Sequence, residues 1–494
     1  MTLVLAGGRI IGTETAVDIM VEQGAIVAIV PAGSAVTDAG VTDAEVTDAA
    51  DRVELDGRVV LPGLWDNHVH FTQWALTSRR LDLSTAASAD EVASLVGERI
   101  AAGATEVVGF GFRDGLWPEP PTAALLDAVA ASVPVVLVSG DLHSVWLDSA
   151  ALLMHGFDGH PTGLLREDDA FAVVRALDDV ADDVLDGWAR DAAAAAARRG
   201  VVGIVDLEMT WNRDVWVRRI AGGLTGLRVE FGVYRQHLGD AAAAGLRTGD
   251  VVPDSDGLLR VGPFKVITDG SLNTRTAYCF DPYPGLDGDD ALGLLTVAPE
   301  ELVPLLETAR DAGLRPAVHA IGDHANALAL DALETVGVTG SIEHAQLLST
   351  TDVARFAPLG ITASVQPEHA MDDRDVAERY WAGRTGRAFM LRSLLDSGAT
   401  LALGSDAPVA PLDPWVTIAA AVGRSRDGRE PWHPEQSITV AEAVAASTRS
   451  TVEVGQPADL VIVDADPTTA SVDDLRTLPV AATLLAGRFT HREL

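Results

Sequence analysis

Eight short apolar runs punctuate the chain between Val59 and Leu403, and helical stretches separate most of them. They are Val59–Leu61, Val201–Val205, Leu227–Val233, Val261–Ile267, Arg315–Val318, Ser341–Ile342, Ile361–Val365 and Leu401–Leu403. Bounded runs of this length read as strands. Asp186–Arg199, with its alanine run, reads as a helix closed by Gly200, and Pro299–Ala312 as a helix closed by Gly313. Eight strands alternating with helices predict an α/β fold, a (β/α)8 TIM barrel of parallel strands.

The ends of the chain are written differently. Short apolar runs and turns alternate at Leu3–Leu5, Ile26–Val30 and Arg52–Leu55, followed by the tight-turn pair Asp56-Gly57. The C-terminal runs Ala458–Asp464 and Thr483–Arg488 return to this style. Strands at both ends of a long middle predict a small composite β-sandwich from residues 1–58 and 452–494, with the barrel over 59–451. The gap after the first barrel strand is too long for one loop. It holds the strand-like Thr105–Phe112 and Pro134–Ser139, then Leu142–Leu153, and predicts an insertion of roughly residues 80–185 over the barrel mouth. The five-residue repeat that begins at Val36, Val41 and Val46 fits neither a helix nor a strand period and reads as an acidic, solvated loop.

Composition narrows the function. The 494 residues are 48% hydrophobic and 22% charged, as in a globular enzyme. A formal charge of -36 argues against nucleic acid and against anionic membrane surfaces. The single cysteine, Cys279, excludes an internal disulfide, fits a reducing cytoplasm and reads as a buried free thiol. Met1–Gly8 reads as a strand and turn rather than a signal peptide, and no run is long enough to span a membrane.

The chemistry-bearing residues recur at strand ends. His68 and His70 stand two apart in Leu61–His70, so in a strand they face one side and two imidazoles can reach one point. His319 ends Arg315–His319, His344 ends Ser341–His344, and Asp406 follows Leu401–Ser405. Lys265, in the apolar run Val261–Asp269, is the only lysine in the chain. A desolvated lysine can lose its proton, as arginine cannot, and a neutral amine can form a carbamate with CO2 or a Schiff base with a carbonyl. Each of the six lies near the C-terminal end of a predicted strand, the face where barrel enzymes build their sites. Taken singly, His319 or His344 reads as a hydrogen-bonded structural residue; together the six read as a metal site.

The chain resembles the amidohydrolase superfamily, in the branch of N-substituted formamide deformylases and D-aminoacylase-like hydrolases. The resemblance rests on Leu61–His70, His143–Ala150, Lys265–Tyr283, His319–Asp323, Ile342–Gln346, Ser364–His369 and Gly404–Pro408. It implies one or two divalent ions, usually zinc. His68 and His70 would bind one metal and His319 and His344 the other, with Lys265 bridging them as a carbamate. Asp406 would touch a metal and carry protons. The implied activity is hydrolysis of a C–N bond in a small amide, of the N-acyl or N-formyl amine type, by metal-activated water. Homodimers are a further expectation, since oligomers are common in this fold, although the sequence shows no interface signature. Asp148 and His324 depart from the usual Asn and Arg, which bears on substrate preference.

His143, Trp146, Arg275, Gln366 and His369 are candidate substrate-binding residues, each with a structural hydrogen bond as the plainer reading. Trp65, Trp74, Trp117 and Trp381 are candidates for an aromatic wall, or core. Among competing activities, a deaminase of this fold wants a glutamate three residues after His319, where Gly322 stands. A lactone or ester hydrolase would use the same metals. A Lys265 Schiff-base enzyme would leave four histidines and an aspartate without a purpose, and a metal-free scaffold would not keep every ligand position filled.

Overall fold

The computed structural model describes residues 2–34, 36–37, 40–41, 51–177 and 180–494, so the repeat beginning at Val36 lies largely outside the described residues. Its central sheet has eight strands in sequence order: Leu64–Val69, Val201–Asp206, Arg228–Tyr234, Leu259–Ile267, Pro316–Ala320, Ser341–His344, Thr362–Val365 and Thr400–Leu403. Every neighbouring pair is parallel. The eighth strand returns to the first. A parallel bridge joins Val69 to Ala407, the Asp406 N–H donates to the His68 carbonyl at 2.7 Å, and the His70 N–H donates to the Ala407 carbonyl at 2.8 Å. Helices such as Asp182–Ala197, Pro299–Ala312 and Asp323–Val336 pack outside, and one large apolar core joins them to the strands. The result is the (β/α)8 barrel.

One run belongs elsewhere. Val59–Leu61, read from sequence as the first barrel strand, falls in Val59–Pro62 of the terminal sheet, between Thr2–Ile10 and Leu460–Val463. The first barrel strand is Leu64–Val69 instead. Val59–Pro62 is buried throughout because it is central in its own sheet, so its apolar character matches that of a barrel strand. Only Gly63 separates the two sheets. A Cβ there would come within 2.5 Å of the Val202 side chain.

Both chain ends build the eight-stranded terminal sheet. Leu5, Ile19 and Ile26 from one end share a core with Leu460, Ile462 and Leu484 from the other, which makes a β-rich domain of the two termini. Between the first and second barrel strands lies a third sheet of Leu81–Asp82, Val107–Phe112, Val135–Ser139, Ser144–Leu147 and Leu164–Arg166. It has its own apolar clusters. Asp148 is part of that scaffold. Its carboxylate accepts from the Ala151 N–H at the start of helix Ser149–Met154 and from the Val135 N–H. No helix among the described residues is long and apolar enough to cross a membrane.

Closure of the barrel leaves no room at Gly404. A Cβ there would lie 2.8 Å from the His68 nitrogen and 2.9 Å from the His68 Cβ. Gly404→Ala is expected to force the seam apart, costing about 1–3 kcal/mol, the usual penalty of overpacking. Urea unfolding followed by tryptophan fluorescence reads this; an unchanged midpoint would contradict it.

Candidate metal centre

The strand ends bring four histidines, one lysine and one aspartate together inside the barrel. His68 lies in the first strand and His70 just past it, Lys265 in the fourth, His319 in the fifth, His344 at the end of the sixth and Asp406 just past the eighth. His68, His344 and Asp406 offer donor atoms all within 4.8 Å of one another. Asp406 Oδ1 is 3.5 Å from His68 Nε2 and 3.4 Å from His70 Nε2. Lys265 Nζ is 3.5 Å from His68 Nε2. The His344 ring centroid lies 5.0 Å from that of His68 and 4.5 Å from that of His319.

Burial sets the charge states. Desolvation, then the charge of Lys265, lowers His68 to about 4 against the opposing pull of Asp406 and Glu343. Desolvation and the neighbouring His319 push His344 well below the usual imidazole value. Desolvation lowers Lys265, partly countered by Glu343 and Asp406. For Asp406 desolvation works upward, yet His68, His70 and His344 hold the carboxyl well below the usual carboxylate range. Desolvation works downward on His70 too, but its bond to Asp406 and the charge of that group raise it. Near neutral pH His68 and His344 therefore present neutral imidazoles beside an ionised carboxylate.

Such a donor set suits a divalent ion. Four buried ring nitrogens, His70 Nδ1, His319 Nε2, His344 Nδ1 and His369 Nε2, have no hydrogen-bond partner among the described residues. Buried imidazole nitrogens are ordinarily satisfied, so unpartnered ones gathered on neighbouring histidines leave donor capacity that fits a metal. The backbone is strained at the same place. His344, Ala345 and Asp406 have φ of 74°, 43° and 58°, in the left-handed region that costs non-glycine residues about 1–3 kcal/mol each.

The surroundings assign the other sequence candidates. His369 Nε2 is 3.9 Å from Asp406 Oδ2, and its ring stacks on His344. The Gln366 amide lies 3.4 Å from His68 Nδ1. Arg275 sits on the loop after the fourth strand with its guanidinium over the Tyr380 ring. His143 is bonded to Glu167 and lies against Phe171, both within the insertion. Trp146 is not at the mouth. It is fully buried in the insertion core between Phe112 and Trp117, and its indole N–H donates to the Thr122 carbonyl. His324 is sandwiched between Tyr278 and Phe280. Trp381, Trp65 and Trp117 belong to apolar clusters. Trp74 lines a cleft of about 840 Å³ between the insertion and the barrel, with Phe110, Arg113, Asp372, Val409 and Arg426.

Sequence reasoning passed over two buried carboxylates. Glu343 accepts from His68 Nδ1 at 2.6 Å. Desolvation would raise it, but that bond and the charges of His68 and Lys265 hold it at about 2. Asp269 accepts from the Tyr278, Ile321 and Gly322 N–H groups and so pins the fourth-strand loop against the fifth. Its carboxylate lies 3.4 Å from His319 Nε2. With 72 acidic residues in the chain, neither carried a signal of its own; adjacency to His344 was the only cue for Glu343.

Comparisons with known proteins give the family and the fold. A family model described as the amidohydrolase family matches residues 51–491. Protein LONG AFTER FAR-RED 3 of Arabidopsis thaliana is 30% identical over 81% of this chain and 74% of its own length. N-substituted formamide deformylase of Arthrobacter pascens is 28% identical over 98% of this chain and 94% of its own length. Among solved structures, a metal-dependent hydrolase from Pyrococcus horikoshii superposes with a TM-score of 0.77 at 24% identity, covering 96% of this chain and 99% of that one, and shares the fold.

The placement of Trp146 is testable. Trp146→Phe is expected to cost about 1–3 kcal/mol through lost packing and a lost N–H donor, with metal content and KM unchanged. A raised KM at unchanged thermal stability would return Trp146 to the pocket.

Proposed function

The chain belongs to the amidohydrolase family of metal-dependent hydrolases, and from that premise we propose that it cleaves the C–N bond of a small N-acyl or N-formyl amine. The observation that carries this reading is the convergence of His68, His344 and Asp406 donor atoms within 4.8 Å in a buried, histidine-rich pocket. The full-length similarity to a formamide deformylase supports the substrate class.

In this reading His68, His70, His319 and His344 hold one or two divalent ions, with zinc the metal their nitrogen donors suit. Lys265 would be carboxylated, its neutral amine adding to CO2 with release of a proton, and the resulting carbamate would help to hold the ions. Burial of Lys265, which favours the neutral amine, supports this step. When bound, the metal supplies Lewis acidity, lowering the pKa of water to about 7 and polarising a carbonyl. Asp406 accepts the proton of the attacking water and delivers it to the leaving amine. Its backbone N–H bond to the His68 carbonyl fixes its place, and His70 and His369 flank its two oxygens. A deaminase reading finds less support, because Asp323 accepts from the Phe280 N–H and pairs with Arg387.

Three measurements test the proposal. Lys265→Arg should lose at least one equivalent of metal by elemental analysis; full occupancy would count against the bridge. Asp406→Asn should retain much of its metal while kcat falls about 100- to 10,000-fold, the usual worth of a general acid–base group; wild-type turnover would remove its proton role. A panel of N-formyl amines, N-acyl amines and lactones should show fastest turnover among the amides, and faster lactone opening would transfer the reading to ester hydrolysis.

A further inference from the structure

We propose that Glu343 is a positioning residue that fixes the tautomer of His68 from the underside of the barrel and so turns Nε2 toward the metal; this rests on the metal-binding reading above. His68 Nδ1 and Glu343 Oε2 are 2.6 Å apart, and the two side chains are 1% and 4% exposed. An ionised carboxylate only accepts, so the hydrogen of a neutral imidazole lies on Nδ1. The lone pair is then left on Nε2, the atom that lies 3.5 Å from both Lys265 Nζ and Asp406 Oδ1. The opposite tautomer would aim an N–H at the metal position and a lone pair at a carboxylate. The Gln366 amide, also near Nδ1, lies farther away at 3.4 Å and is shared with the Ser364 carbonyl at 3.3 Å. Glu343 therefore sets the orientation.

The carboxylate is itself held in place, because Ser341 Oγ donates to Glu343 Oε1. Glu343 also lines a cavity of about 200 Å³ whose polar residues include Asn67, Ser341, Thr362 and Ser364. Ser341 and Thr362 begin their strands, so this cavity lies at the end of the barrel opposite the site. It is roomy enough for several waters. Ser364 Oγ, buried in its lining, has no hydrogen-bond partner among the described residues. A small carboxylate can therefore stand where the Glu343 carboxylate stands, reaching His68 from below without crossing the substrate side.

The test measures zinc affinity of the full-length protein by chelator competition, together with the 15N shifts of His68, in wild type, Glu343→Gln and Glu343→Ala, with and without formate. Glu343→Ala is expected to bind zinc about 10- to 100-fold more weakly, the usual effect of removing a partner of a metal-ligating histidine. Its His68 should lose the fixed Nδ1–H tautomer, and formate should restore both affinity and shifts. Glu343→Gln, close in shape, keeps the test open if the alanine variant fails to fold; it should show weakened affinity without response to formate. Wild-type affinity in both variants, or a loss in Glu343→Ala that formate does not touch, would overturn the inference alone. A wild-type protein that binds no zinc would overturn the metal reading, and this inference with it.

Discussion

Closure of the barrel between its first and eighth strands is the constraint from which the centre follows. Few contacts make that seam. The Asp406 N–H reaches the His68 carbonyl, and the buried Asp66 carboxylate accepts from the Ser405 and His68 N–H groups. Burial raises Asp66 to about 7 against those same hydrogen bonds, so the group lies in a dry environment. The seam joins residues more than three hundred apart in sequence and sets a histidine-bearing strand beside the turn that carries the aspartate. A centre assembled from strand ends is only as well placed as this closure, because rigid strands pass a misfit at the seam directly to the side chains they carry.

Interior electrostatics depends on the same arrangement. Lys265 and the histidines sit among ionised Asp406 and Glu343, in a region where desolvation works against every charge. The histidines His68 and His344 respond by staying neutral. The carboxylates respond by gathering hydrogen bonds, as Glu343 does with His68 and Ser341. Left-handed backbone at His344 and Asp406 adds strain. Such a pocket is costly as a structural core, where an apolar filling would serve, and this cost is a physical reason to assign it a chemical role.

Much of this was legible in the chain. Seven of the apolar runs fall in barrel strands within a residue or two, because a buried parallel strand is an uninterrupted apolar run. His68 and His70 were found by their spacing, Lys265 by its rarity, and His319, His344 and Asp406 by their places at strand ends. Two errors have physical causes. Val59–Leu61 was set in the barrel because a central strand of one sheet looks like a central strand of another, and the change of sheet is marked by Gly63 alone. Trp146 was a candidate for the pocket because it lies with His143 in the insertion, whereas it stands between Val145 and Leu147 and its indole N–H is satisfied by a backbone carbonyl there. Glu343 was passed over for another reason. Neighbours in a strand point to opposite faces, but the left-handed φ of His344 ends that alternation, and both side chains reach the cluster.

The insertion divides labour with the barrel. Strand ends supply the histidines, the lysine and the aspartate, whereas the cleft beside them has one wall from the insertion and one from helices and loops of the barrel. The insertion is fastened across the mouth at two separated points. Asn273, in the loop after the Lys265 strand, donates to Asp141. On the other side Arg113 donates to Asp372 and to the carbonyl of Val409, three residues past Asp406. These ties run to loops at the barrel mouth and not to the strands that carry the donors. A change in the insertion can thus alter which molecules fit while the strand-borne donors keep their places, which is how a fixed centre can serve different substrates within one fold.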